Sequence, residues 1–380
     1  DGTIEKLPRG QHVFRLDSFE GNPIVKPEDL GLVWEEDGEI KKGAVFNAGA
    51  EIFGDRVILT PRCHKNYRKA TFYDEKLKRE RACLENYVSE VWLLQSEDGV
   101  NFRRLDNCVI RGDGTDHADF TYGIEDIRIV KAGDRYILIG CGKIKPPFKG
   151  TNADRIAIYQ TEDFRGIRYC GIIRNFDSRN AVVLGKGDRY FILLRFHPNI
   201  HIAHLEAGLK QVLQPDQYTK AWDEIYASRS RNLLLASGQL PHEREKIGPG
   251  PQVIETEEGW LLIYHAVGEI SQDVCGIYGL NRAIERGYSV CAALLDLEDP
   301  SRVICRTRHP IYIPSHIYEL EGNEHYPVDV PNVVFPVGAV VCGQKLVVYA
   351  GAGDKYIVLL SCNLQMLVEF LKKHCVTSQD

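Results

Sequence analysis

In YGIEDIRIVKAGDRYILIG, residues 122 to 140, three charged residues, Glu125, Asp126 and Arg128, interrupt an otherwise apolar strand. A carboxylate set among apolar residues can serve as a general acid, because burial and neighbouring charge decide when it holds its proton. On a regular strand residues i and i+2 share a face, so Asp126 and Arg128 are expected together and Glu125 on the opposite face. Glu125 and Asp126 are then not a catalytic pair by themselves, and the same spacing also fits a structural Asp–Arg ion pair. Further polar residues stand at strand ends: Arg62 closes ILTPR, Arg179 and Asn180 precede AVVL, and Arg195 lies near the end of YFILLRF. Lys246 precedes a Gly/Pro-rich turn, His265 ends WLLIYH, and Tyr288 opens YSVCAALL. Singly these are surface cations or a core histidine. Together, cations at corresponding strand ends can clamp a phosphate dianion through charge-assisted hydrogen bonds. No Walker loop or dinucleotide fingerprint is present, so side chains from several units would have to hold the anion. His197, His201 and His204 in RFHPNIHIAH suggest a metal, but the i, i+4 spacing needs a helix that Pro198 and the β pattern oppose, and no metal is expected.

The elements that must position these residues repeat. A turn of Gly with Asp or Gln, or of two Glu before a Gly, leads into an apolar run in GDRVILTPR, GDRYILIGCG, GDRYFILLRF, EGWLLIYHAV and GQKLVVYAGA. A second β-rich segment follows each, as in VWLLQSEDGVNF, IAIYQTEDF, IHIAHLEAGL, YSVCAALLDLEDP and YIVLLSCNL. Five strand pairs are read. Successive turn glycines, Gly54, Gly133, Gly187, Gly259 and Gly343, are 79, 54, 72 and 84 residues apart, too irregular for a solenoid of identical units. A β-propeller tolerates loops of any length on its rim, so the expectation is an all-β, five-bladed propeller with short peripheral helices, one domain over residues 1 to 380. An N-terminal arm is expected over about residues 1–40. Helix is expected only in the charged segment 73–90 and at about 364–375, where Leu364, Leu367 and Leu371 line one face.

Composition removes other classes. With 47 Lys and Arg against 53 Asp and Glu, the net charge of −6 lacks the basic face that nucleic acid requires. Apolar residues at 44% exclude disorder. No run approaches the roughly 20 apolar residues of a membrane span. The 11 cysteines form no C-x-x-C pair and several sit in strand-like runs, which reads as reduced thiols; with no secretory pattern at the start, a cytoplasmic location is expected.

In this order the motifs resemble glycoside hydrolase family 130, inverting β-mannoside phosphorylases and mannosidases built on a five-bladed propeller. The resemblance runs from about Phe46 to Asp354 through FNAG, EDIR, RNAVVL, KIGPGPQVIETEEGWLLIYH, YSVCAALLDLEDPSRVICRT, PNVVFPVGAV and YAGAGDKYIVLL. Ala48 and Ile127 stand where the family usually has proline, and Leu184-Gly185 replaces a usual Phe-Pro. The resemblance implies that Asp126 is the catalytic acid, delivering its proton through a hydroxyl of the bound mannose. It implies phosphate or reacting-sugar contacts for Arg62, Arg179, Asn180, Lys246, His265 and Tyr288, and sugar contacts for Asn47 and Asp354. The implied activity is that of a glycosyltransferase-type phosphorylase on manno-oligosaccharides or mannosyl-glucose, giving α-mannose 1-phosphate with inorganic phosphate as co-substrate and no cofactor. A homo-oligomer is compatible with it. A β-mannosidase of the same family and a non-catalytic glycan-binding propeller are the alternatives.

Overall fold

The computed structural model describes all residues except 66–67, 76, 112–120, 145–153, 323–329, 375 and 377–380. Its main elements are five antiparallel sheets, and in each the strands pair largely in chain order. The lead strands of the five are Ala44–Phe53, Ile124–Ala132, Arg179–Lys186, Lys246–Pro249 and Val334–Cys342. The predicted turn-and-strand phrases form the second strands: Arg56–His64, Arg135–Lys143, Arg189–Phe196, Gly259–Ile270 and Lys345–Ala352. Four of these hairpins close through two residues, with Gly54, Gly133, Gly187 and Gly343 at φ between 62° and 64°. Glycine is needed at the first central position of such a turn because that position requires positive φ. The fourth hairpin instead turns through Glu257 and Glu258.

Each sheet buries both faces, which is why its strands read as nearly continuous apolar runs. In Arg135–Lys143, Leu138 packs toward the first sheet with Ile58 and Leu93, while Ile137 and Ile139 pack toward the third with Val183 and Ile192. Comparable cores lie between sheets three and four, around Leu193, Ile247 and Tyr264, and between four and five, around Ile263, Val290 and Leu346. A further core joins sheet five back to sheet one through Val45, Leu59, Val347 and Ile357. The N-terminal segment Asp17–Ser18 pairs with Tyr356–Asn363 and completes the fifth sheet.

Two helix expectations need correction. Arg68–Asp74 and Arg79–Glu85 form a hairpin whose second strand lies within the segment 73–90 expected to be helical. Arg68 lies opposite Glu85 at 2.9 Å and Arg81 reaches Asp74 at 2.9 Å, so charges that suit a helix surface also serve as cross-strand pairs. Helices also occur at Leu209–Leu213 and Thr219–Ala227, where Trp222 and Ile225 pack under the third sheet. The C-terminal helix is present as Leu364–His374, with Leu367 and Leu371 buried.

Candidate active site

Three lead strands share one irregularity. The ladder slips between Phe46 and Gly49, between Glu125 and Arg128, and between Arg179 and Val182. At each slip an Asx residue adopts positive φ: Asn47 at 50°, Asp126 at 51° and Asn180 at 60°. Such a β-bulge inserts a residue and re-aims its side chain, and Asn and Asp tolerate this conformation better than other non-glycine residues. The bulge overturns the strict alternation expected of Glu125, Asp126 and Arg128. Both carboxylates reach the same guanidinium, with Arg179 Nη2 3.0 Å from Glu125 Oε2 and 2.9 Å from Asp126 Oδ2. Arg62 also binds both, at 3.3 Å from Glu125 and 3.5 Å from Asp126. Asn47 donates to Asp126 Oδ1 at 2.9 Å, and the Tyr87 hydroxyl joins Arg62 to Glu125. Among the described residues Arg128 makes no direct ion pair with a carboxylate, although its charge still acts on Asp126. It donates to the carbonyls of Asp126, Pro249 and Gly250, tying the second sheet to the fourth.

Arg179 extends from this acidic pole into a second cluster. Arg195 is its cross-strand partner, and Arg179 Nη1 lies 3.5 Å from Asp154, which Lys143 holds in turn. A methyl group at Gly248 would stand 2.4 Å from His265 Cε1 and 3.0 Å from Arg195 Cδ, so only glycine lets the fourth lead strand pass this close. The His265 ring stacks 6.4 Å from Tyr288, and the Lys246 ammonium lies 5.1 Å from the centre of the Tyr288 ring. Arg62, Arg179, Lys246, His265 and Tyr288 are thus linked through Glu125, Asp126, Arg195 and Gly248. Asn180 lies buried at its bulge next to Arg179. Asp354, at φ 56° beside the fifth sheet, feels the charges of Arg62, Asp126, Glu125 and Arg179.

The two poles differ electrostatically. Burial pushes the Asp126 carboxyl up, but Arg62, Arg179 and Arg128, with the Asn47 hydrogen bond, outweigh it and hold the group well below the usual carboxylate range. Burial, reinforced by Asp126 and Glu125 and opposed by Arg62 and Arg179, pushes Asp354 up to about 6. At the other pole the paired carboxylate is Asp154, held by Arg179 and Lys143, and cations predominate around His265. Burial and then Arg195, Lys246, Arg128 and Arg179 drive His265 well below its usual value, so it is a neutral imidazole and not the cation expected from sequence. Burial and Arg179 lower Arg195 to about 10, and Lys246 overcomes burial to lower Tyr288. Both ring nitrogens of His265, both amide atoms of Asn180 and Nε of Arg195 lack a hydrogen-bond partner among the described residues. Buried donors left open beside clustered positive charge suit an oxyanion. Arg179, with 19% of its side chain exposed, remains reachable from solvent.

Sequence reasoning named Arg195 among the strand-end cations without assigning it a contact, set Glu125 on the opposite face, and left Asp154 and Lys143 out of the site. The signal for Arg195 was its place opposite Arg179 on a hairpin, whereas Asp154 and Lys143 pair across the second sheet with nothing local to mark them. His201, weighed as a metal ligand and set aside, is buried with its ring 5.1 Å from Phe196, and His204 lies 3.2 Å from Glu206. Among the described residues no group of three potential metal ligands occurs.

A family model described as beta-1,4-mannooligosaccharide phosphorylase matches residues 16–373. The chain is 30% identical to a beta-1,2-mannobiose phosphorylase of a Thermoanaerobacter species, covering 91% of this chain and 96% of that protein. It is 27% identical to a 1,2-beta-oligomannan phosphorylase of the same organism, again over 91% and 96%. Its fold is similar to that of the beta-1,2-mannobiose phosphorylase of Listeria innocua solved with beta-1,2-mannobiose, with TM-score 0.66, 22% identity, and coverage of 94% and 99%. With the family model spanning nearly the whole chain and the bulged Asx residues gathered at one site, the chain belongs to glycoside hydrolase family 130.

Proposed function

We propose that this protein catalyses the inverting phosphorolysis of a β-linked mannoside, releasing α-mannose 1-phosphate and a shorter sugar. The observation that carries the reading is the cation-rich pole of Asn180, Arg195, Lys246, His265 and Tyr288, with its open buried donors, beside a pole that holds Asp126. Phosphate is already anionic and needs positioning and charge compensation rather than a base. Arg179, Arg195 and Lys246 supply the charge, and Asn180, His265 and Tyr288 supply directed hydrogen bonds. A phosphate oxygen attacks the anomeric carbon on the face opposite the leaving oxygen, and inversion follows. Asp126 provides the proton for that oxygen through a hydroxyl of the bound mannose, while Asn47 and Asp354 hold the sugar. The transfer of mannose to phosphate makes the enzyme a glycosyltransferase-type phosphorylase. The five cores between successive sheets, including the one joining sheet five to sheet one, support a closed five-bladed propeller forming one domain.

The test incubates the protein with β-1,2- and β-1,4-mannobiose, each with and without inorganic phosphate. Mannose 1-phosphate formed only when phosphate is present is the expected result. Release of free mannose at an unchanged rate without phosphate would make the enzyme a hydrolase and overturn the reading.

A further inference from the structure

Asp126 presents a conflict within the mechanism just proposed. A general acid must carry a proton, yet Asp126 is ion-paired to Arg179 at 2.9 Å and to Arg62 at 3.5 Å. The groups facing it favour ionisation on balance: Arg62 and Asn47 from the first sheet, Arg179 from the third and Arg128 from its own strand. Asp354 from the fifth sheet and the adjacent Glu125 oppose it, and His64 is neutral. Arg179 pairs with the Asp126 carboxylate and also borders the open pole, through Arg195.

We propose that Arg179 couples the two substrates' chemistry: an oxyanion drawn onto its guanidinium weakens its pairing with Asp126, and the Asp126 carboxyl then takes up the proton it later delivers. The inference rests on the phosphorylase reading and adds that phosphate charges the acid as well as attacking the sugar. A dianion placed within several ångströms of a carboxylate raises the free energy of its ionised form and cancels the cation that held it ionised. The proton balance closes. Free enzyme, hydrogen phosphate dianion and one proton give the bound complex with neutral Asp126. Proton transfer to the leaving oxygen accompanies formation of the bond between phosphate oxygen and anomeric carbon. The ester's own proton, more acidic once the ester has formed, passes to Asp126, which releases it to solvent as mannose 1-phosphate leaves and the pairing with Arg179 re-forms, so turnover consumes no proton. The order of events also protects the site, since Asp126 stays ionised until the nucleophile is in place.

Sulfate is the probe, because it is a tetrahedral dianion that does not itself titrate near neutrality. Calorimetric titration of the whole protein with sulfate, in buffers of different ionisation enthalpy at pH 6 to 7.5, counts the protons taken up. The wild-type protein is expected to gain a large fraction of one proton per sulfate, and its Kd should rise by up to about tenfold per pH unit over that range. Asp126→Asn should bind sulfate with that uptake removed and with a flatter pH dependence. Arg179→Lys, which keeps a charge but loses the bidentate fork, should bind more weakly and show reduced uptake. His265→Gln should leave the Asp126-dependent part in place. Equal uptake in the wild-type and Asp126→Asn proteins, or uptake abolished by His265→Gln alone, overturns the coupling while leaving the phosphorylase reading intact. Absence of both sulfate and phosphate binding by the wild-type protein overturns that reading and the coupling with it.

Discussion

Asp126 and Asp354 lie in one charged cluster and are driven in opposite directions, Asp126 down by its arginines and Asp354 up to about 6 by burial. Asp126→Asn keeps the shape and the bulge conformation but removes the transferable proton. Formation of mannose 1-phosphate should fall by roughly 10²- to 10⁴-fold, measured as kcat. Lys246→Ala removes one cation beside Tyr288, and its main expected effect is a higher KM for phosphate with kcat less changed. Asp354 yields a stability prediction. Its carboxyl titrates higher in the folded protein than its ordinary 3.8, so its contribution is fully present below that value and is lost as pH rises toward about 6. Asp354→Asn should therefore raise Tm relative to wild type at pH 7 and not at pH 3.5, the stability gained at pH 7 being on the order of 2–3 kcal/mol at most. A Tm difference independent of pH would contradict this account. Loss of sugar binding in the same variant would be the usual exchange of stability for function.

At the scale of the element, the bulge at Asn47, Asp126 and Asn180 aims three polar side chains into the site. Positive φ is tolerated by Asn and Asp, favoured by Gly and costly for a β-branched residue, by roughly 1–2 kcal/mol. Asn180→Gly should keep stability within about 1 kcal/mol of wild type while phosphate KM rises, because the backbone is satisfied and the amide is gone. Asn180→Val should lower both stability and activity. Thermal melts beside phosphate titrations separate the two effects, and a stable, fully active Asn180→Val protein would refute the bulge argument. The same feature shows what local periodicity misses. Alternation in EDIR separates Glu125 from Asp126, but a ladder slip at this point brings both onto Arg179, and no residue within the motif announces the slip. The hairpin of Arg68–Asp74 and Arg79–Glu85 is a related case, since alternating charges satisfy helix spacing and strand spacing alike.

At the scale of the molecule, the two ends of the sheet region meet where Asp17–Ser18 pairs with Tyr356–Asn363. Leu16 is buried beside this strand and donates its backbone N–H to Ile311. Removing residues 1–18 uncovers the edge of Tyr356–Asn363 and part of the core beneath it. The truncated protein should melt at lower temperature and self-associate, because an exposed apolar edge strand is a template for pairing. Scanning calorimetry and light scattering would detect both changes, and an unchanged monodisperse melt would show that this strand does not secure the fifth sheet.

Sequence by itself determined the strands, their pairing into hairpins and most of the side chains now gathered at the site. These follow from short-range causes: Gly–Asp turns that demand positive φ, apolar runs long enough to bury both faces, and polar residues that no strand pattern accounts for. Arg62 and Tyr288, 226 positions apart, could be singled out from sequence but not shown to serve one site, where both feel the charge of Asp354. Their gathering there, the neutral state of His265, the paired state of Asp126 and the support that Asp154 gives Arg179 were decided only by the tertiary structure. The physical reason is that protonation and ion pairing depend on burial and on charges brought in from other sheets, and those distances are set by how the sheets pack rather than by spacing along the chain.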